Sequence, residues 1–175
     1  MEDIRTLRKV SQPQDWPIKI DLTSAFNHIP VSKNLSQFLG FKFKDKCYQH
    51  TAMCYGIRYA TLTFRKIMRY TMEYIRRTLQ IRCLSYCDDL LFLHQAKETL
   101  QQQTNQILQT LSKFGWQVSI EKSILVPTQQ FEYLGWFLDT SKNQMSMTKQ
   151  RRAEMLQQIS RWRRTIKKKK IVRIK

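Results

Sequence analysis

The chain has 175 residues, enough for one domain or part of a larger protein, and 42% of them are apolar, which supplies a real core. Thirty-one Lys and Arg against 13 acids give a formal charge of +18, which points to a polyanionic partner, nucleic acid ahead of an anionic membrane surface. No apolar stretch reaches the ~20 residues that span a bilayer and no signal-peptide pattern opens the chain, so the expected place is intracellular, cytoplasmic or nuclear, with no membrane partner.

Residues 16–22 (Trp-Pro-Ile-Lys-Ile-Asp-Leu) alternate apolar and polar as a half-buried strand does, with Asp21 near the end. Residues 41–49 alternate too, and Asp45-Lys46 reads as their hairpin turn. Next, Phe64, Ile67, Met68, Thr71, Met72, Ile75 and Leu79 repeat at helical spacing and form one buried face. Arg65, Lys66, Arg69, Arg76 and Arg77 occupy the other face, whose plain reading is solvated surface. Two apolar runs then enclose Asp88-Asp89, a strand–turn–strand pattern.

A second helix is expected over about 96–114, with Leu100, Ile107, Leu108 and Leu111 inward and Gln101 to Gln103 in solvent. Gly115 stands where a helix cap belongs. Short strands are expected at 116–120, 124–126, 131–138 and 144–147. A last helix starts near Thr148 and presents Met155, Ile159 and Trp162. Cys47, Cys54, Cys83 and Cys87 contain no CxxC pair and read as free thiols. The order predicts an α+β domain, helices packed on one face of an antiparallel sheet.

Asp21 ends one expected strand and Asp88-Asp89 joins two others. Brought together, three carboxylates repel unless a cation intervenes. Two divalent ions there would lower the pKa of an attacking hydroxyl and stabilise a leaving pyrophosphate. Taken singly, Asp88-Asp89 reads as a type I′-like turn and Asp21 as a strand-end residue.

Five segments, in order, resemble the motifs of retroelement reverse transcriptases. Residues 20–30 (Ile-Asp-Leu-Thr-Ser-Ala-Phe-Asn-His-Ile-Pro) resemble motif A, and residues 55–64 (Tyr-Gly-Ile-Arg-Tyr-Ala-Thr-Leu-Thr-Phe) resemble motif B. Tyr86-Cys87-Asp88-Asp89 is similar to motif C, Gly115 to Lys122 to motif D, and residues 131–136 (Phe-Glu-Tyr-Leu-Gly-Trp) to the primer grip. The Phe38-Leu39-Gly40-Phe41 stretch, and the spacing from Glu121-Lys122-Ser123 to Leu134-Gly135-Trp136, look closest to tyrosine-recombinase (DIRS-type) or Ty3-like elements.

The resemblance implies a polymerase palm with an RRM-like sheet. Residues 1–15 would be a fingers remnant, 16–147 the palm with primer grip, and 148–175 the start of the thumb and a basic tail. It implies RNA-directed DNA polymerase activity with RNA template, DNA primer and dNTP as partners, beside an oligomer or missing polyprotein domains. Two Mg²⁺ ions, with Mn²⁺ as substitute, would sit on Asp21, Asp88 and Asp89, with the Leu22 carbonyl available. Phe26 would be the steric gate against a ribose 2′-OH, which argues against an RNA polymerase; its plain reading is a core phenylalanine. Tyr55, Gly56 and Tyr86 would line the nucleotide pocket. Lys122 would be a cation or general acid near the triphosphate, or a surface lysine. Tyr133, Leu134, Gly135 and Trp136 would hold the primer end.

Cys54 and Thr61 stand where motif B has prolines, which relaxes that turn. Twenty residues precede Asp21, which leaves little of the fingers. The competing reading is therefore an inactive fragment that binds nucleic acid through its charge alone.

Overall fold

The computed structural model describes residues 4–167. A short helix α1 (Ile4–Val10) precedes strand β1 (Trp16–Leu22). A 3₁₀ turn (Ala25–His28), helix α2 (Lys33–Ser36) and the hairpin β2 (Gly40–Phe43)–β3 (Lys46–Gln49) follow. Then come α3 (Ala60–Leu79), β4 (Arg82–Tyr86), β5 (Asp89–His94), α4 (Lys97–Lys113) and β6 (Val118–Ile124). The meander β7 (Gln130–Tyr133)–β8 (Trp136–Asp139)–β9 (Gln144–Met147) leads to α5 (Lys149–Lys167). The fold is the expected α+β class with antiparallel sheets.

Two compact units share the chain. Residues up to Ser11 with Asp15–Thr128 form the first, and Gln12–Gln14 with the residues from Gln129 onward form the second. In the first, the antiparallel sheet has the order β4-β5-β1-β6. With α3 between β1 and β4 and α4 between β5 and β6, this is the split βαββαβ arrangement. Ile18, Ile20, Leu22, Leu90 and Phe92 face the helices, where Phe64, Met68, Met72, Leu100, Ile107 and Leu111 complete the core. The opposite face is buried in part as well: Pro17, Leu84, Leu91 and Leu93 alternate with the first set.

The chain entering β1 is anchored ionically. The buried Asp15 carboxylate accepts from both Arg82 terminal nitrogens, one at 2.7 Å, and from the Gln95 side-chain amide. Arg82 also donates to the Val10 carbonyl at 2.9 Å. Replacing Arg82 by Ala would leave a buried carboxylate without its cation, a loss of about 3–5 kcal/mol.

Several expected details move. The first hairpin turns at Lys44-Asp45, both with positive φ, one residue before the expected Asp45-Lys46. Ile67 is exposed, because the buried stripe of α3 runs through Phe64, Met68, Thr71, Met72 and Ile75. Arg76 is no solvated charge; its guanidinium donates twice to the Cys83 carbonyl, at 3.2 and 2.8 Å. Gln103 is half-buried and donates to the Leu79 carbonyl at 3.0 Å. The strands expected at 116–120 and 124–126 are one strand, β6, interrupted by a bulge. The strand expected at 131–138 is two, β7 and β8, because Leu134 (φ 50°) and Gly135 (φ 74°) make a hairpin turn. No described residue of α5 is buried, so Met155, Ile159 and Trp162 all face outward. The helix continues through Lys167, and residues 168–175 of the expected tail lie outside the described residues.

Candidate active site

The sheet register carries the acids. On β1, Asp21 pairs directly with Asp89 of β5, and Asp89 pairs with Tyr86 of β4. Directly paired residues share a face, so Asp21, Asp89 and Tyr86 stand together on the face away from α3 and α4. The turn between β4 and β5 is centred on Cys87 and Asp88, not on Asp88 and Asp89. Only Cys87 has positive φ (51°), so the type I′ reading, which needs positive φ at both central residues, does not apply. The Leu22 backbone N–H donates to the Asp88 carbonyl at 3.2 Å and ties this turn to the end of β1.

Beyond β1 the chain reverses through Ser24, a non-glycine residue in the left-handed region (φ 48°), into the 3₁₀ turn. His28 fastens that turn. Its Nε2 accepts from the Gln117 backbone N–H at 3.1 Å, which places the ring proton on Nδ1, 3.2 Å from the Ala25 carbonyl. Phe26 then meets the edge of Tyr55 (centroids 5.1 Å apart, 70° between planes) and packs on Phe64 at 5.3 Å. Phe26 thus packs against the core and also lines the cleft.

The cleft encloses about 230 Å³. Of the residues singled out by sequence, Asp21, Leu22, Phe26, Tyr55, Asp88 and Lys122 line it. Asp89, Tyr86 and Gly56 do not. The Asp89 carboxylate lies 2.8 Å from Lys19 Nζ, an ion pair with both side chains about a quarter exposed or less. Gly56 has φ 93° and open space where a Cβ would stand, so it is required by backbone conformation and not by a close neighbour. Tyr133 to Trp136 belong to the second unit. There Tyr133 is buried, which leaves Leu134, Gly135 and Trp136 as the surface of that turn.

Sequence reasoning missed Ser24 and Asn27 in the lining, and Lys19 and Ser123 behind it. Lys19 had a signal: it lies two residues from Asp21, hence on the same strand face. Ser123 had none, since its role depends on cross-strand register.

Asp21 holds its proton more tightly than an ordinary aspartate. Partial burial is the first cause, and the charges of Asp88 and Asp89 add to it against the opposing Lys122 and Lys19. The Cys87 thiol is pushed up by burial first and then by the same two carboxylates. The carboxylates of Asp21, Asp88 and Asp89 are oxygen donors, mutually repulsive and partly desolvated, chemically suited to a hard divalent cation. Among the described residues, however, no group of three or more His, Cys, Asp or Glu side chains is drawn together closely enough to hold one ion. Asp21 and Asp88 share the cleft, while Asp89 is turned onto Lys19.

Residues 1–138 match the family model described as "Reverse transcriptase (RNA-dependent DNA polymerase)". The chain is 27% identical over 123 residues to the Gag-Pol polyprotein of Walleye dermal sarcoma virus, covering 70% of this chain and 7% of the polyprotein. It is 24% identical over 153 residues to the retrovirus-related Pol polyprotein from transposon opus of Drosophila melanogaster, covering 78% and 15%. Against Gag-Pro-Pol of Human T-cell leukemia virus 2 the identity is 28% over 124 residues, covering 66% and 8%. The chain thus spans less than a fifth of the length of these relatives. Among solved structures, the foamy viral protease-reverse transcriptase in complex with RNA/DNA hybrid superposes with a TM-score of 0.70 at 19% identity, covering 83% of this chain and 19% of that one. Native prototype foamy virus protease-reverse transcriptase gives 0.63 at 21% identity, covering 81% and 17%.

Proposed function

The chain belongs to the reverse transcriptase (RNA-dependent DNA polymerase) family, and we propose on that premise that its cleft is the palm active site of an RNA-directed DNA polymerase. The observation that supports this best is the convergence of Asp21, Asp88, Lys122, Phe26 and Tyr55, drawn from four separate segments, on one cleft. The reaction is templated nucleotidyl transfer: a primer 3′-OH attacks the α-phosphate of a dNTP and pyrophosphate leaves. Two Mg²⁺ ions, replaceable by Mn²⁺, would be held by Asp21, Asp88 and the Leu22 carbonyl, with Asp89 joining when it exchanges Lys19 for metal. When bound, they supply charge for the leaving pyrophosphate and acidify the attacking hydroxyl.

The chain's own residues do the rest. Lys122 presents a cation, or a proton, to the triphosphate side of the cleft. Phe26, fixed between Tyr55 and Phe64, blocks a ribose 2′-OH. Gly56, by its positive φ, shapes the turn that carries Tyr55 to the nucleotide, and Tyr86 flanks the acid turn. Leu134, Gly135 and Trp136 form the primer grip. The partners are an RNA template, a DNA primer and dNTPs, and the place of action is intracellular. Relatives of known structure carry RNA/DNA hybrid or double-stranded DNA, in keeping with a charge of +18. The finer affiliation with DIRS-type or Ty3-like elements rests on residues 38–41 and on the spacing from 121 to 136.

Primer extension on poly(rA)·oligo(dT) tests the reading. Asp88→Asn and Asp89→Asn should each lower extension by about 10²–10³-fold; activity that survives both removes the mechanism. The Lys19–Asp89 ion pair favours a second reading, in which the acids are structural and the chain only binds nucleic acid. Salt-sensitive binding without dNTP incorporation, unchanged by substituting the three acids, is its signature.

A further inference from the structure

The bulge in β6 is the feature that the proposed reaction does not by itself explain. Asp21 pairs with Ser119 and Leu22 with Val118, but the next pairing is Lys19 with Ile124. Two steps along β1 thus match five along β6, so three extra residues are looped out. Had the ladder continued without interruption, Ile120 would face Ile20, Glu121 would face Lys19 and Lys122 would face Ile18. Ile18 is fully buried on the face that packs against the helices. A regular strand would place Lys122 about 10 Å along the sheet from Asp21, at ~3.3 Å per residue, and on the wrong face. The bulge moves it to the cleft beside Asp21 and Asp88. Bulges beside active sites commonly re-aim a side chain in this way.

One hydroxyl spans the bulge. Ser123 Oγ accepts the Asp21 backbone N–H at 3.0 Å and donates to the Ser119 carbonyl at 2.6 Å. It sits between the Asp21 N–H and the carbonyl of Ser119, the register partner of Asp21, and so clasps the edge of the bulge at the residue carrying the first carboxylate. The side chain is half-buried, and the neighbouring Lys122 is exposed. Without the hydroxyl, the Asp21 N–H and the Ser119 carbonyl each lose one hydrogen bond.

We propose that Ser123 is a positioning residue: its hydroxyl holds the β6 bulge in register against Asp21 and thereby sets Lys122 over the cleft. The inference rests on the polymerase reading for its consequence, not for its geometry. Threonine keeps the hydroxyl on a strand-compatible side chain, and alanine removes it.

The test uses the full chain with Ser123→Ala, Ser123→Thr, Lys122→Ala and the Lys122→Ala/Ser123→Ala pair. Amide hydrogen exchange at Asp21 reads the bond whether or not primers are extended. It should be at least about tenfold faster in S123A than in wild type, with S123T close to wild type. In primer extension, S123A should lower kcat by about tenfold, S123T should restore most of it, and S123A should cost little further on the K122A background. Equal Asp21 exchange in wild type and S123A overturns the inference. So does a full, independent loss of activity from S123A in the double variant, which marks a merely structural serine. Wild-type chain that binds poly(rA)·oligo(dT) without extending it overturns the polymerase reading instead, and the exchange result still decides the bulge.

Discussion

Two hairpin turns carry the proposed chemistry, and they are held in opposite ways. The acid turn, Cys87-Asp88, has its positive φ at a cysteine and no glycine to relieve it. It is held by long-range register: β5 is paired on both sides, by β4 and β1, its four central residues are buried, and Leu22 N–H reaches the turn from β1. The second turn, Leu134-Gly135, belongs to a three-stranded meander, and its glycine takes one of the two positive φ values. Its restraint is a side chain. Arg151, in the first turn of α5, donates from Nη1 to the Leu134 carbonyl at 2.5 Å and stacks over Trp136 at 5.4 Å. Thr148, which caps α5 by accepting the Arg151 N–H, donates to the Gly135 carbonyl at 3.3 Å. Strain in a strongly paired sheet needs no local clamp, whereas a small sheet without burial on its helix depends on one.

Gly135→Val breaks the second turn most severely. A Cβ there would stand 2.9 Å from Arg151 Nη1, and φ 74° is foreign to a β-branched residue. The expected cost is about 1–3 kcal/mol, read as lost amide protection across β7 and β8. Protection in β4 and β5 should stay at the wild-type level; equal loss in both sheets would erase the contrast. Arg151→Ala should cost about 1 kcal/mol in the same amides, by removal of the carbonyl hydrogen bond and the cation–π contact. Arg151→Lys should recover less than half, since an ammonium lacks the planar fork that does both. In primer extension both changes should raise KM for primer more than they lower kcat. The matching change in the acid turn, Cys87→Gly, should shift stability by less than about 1 kcal/mol, because relief of strain and added unfolded-state entropy oppose each other. A larger loss would show that the thiol, not the register, holds that turn.

The same contrast separates what could be read in the sequence from what could not. Alternation at residues 16–22 and the stripe from Phe64 to Ile75 were legible, because each buries one face at a fixed period. The strand–turn–strand around Asp88 was legible, because two apolar runs flank it. Register was not legible. Whether Lys122 faces the cleft or Ile18 depends on three looped residues, and whether Asp89 meets Lys19 depends on a diagonal cross-strand contact. The break at Leu134-Gly135 had a local signal in the glycine, but the apolar run on both sides read as one strand. For α5, the spacing of Met155, Ile159 and Trp162 is that of an amphipathic helix, and periodicity does not say whether a partner covers the face.

The finest difference between the two units is in their response to acid. Asp21 binds its proton more tightly when folded, through burial first and then Asp88 and Asp89. Asp139, at the end of β8, binds it less tightly, because Ser141 and Gln130 donate to its carboxylate, as does the Lys142 backbone N–H. For Asp21 the folded state therefore holds more protons than the unfolded chain between the ordinary value of 3.8 and its raised value, and stability falls as pH rises through that window. For Asp139 the sign reverses: its contribution is complete above 3.8 and is lost as pH falls towards its lowered folded value. Urea denaturation of Asp21→Asn and Asp139→Asn against wild type, from pH 3 to 7, separates the two. Asp21→Asn should gain on wild type as pH rises, because it removes a carboxylate that ionises at a cost. Asp139→Asn should fall behind wild type as pH rises, because it removes one that ionises favourably. Slopes of the same sign would mean that the acid cluster is already neutralised in solution, with Lys19 and Lys122 outweighing burial and the like charges at Asp21.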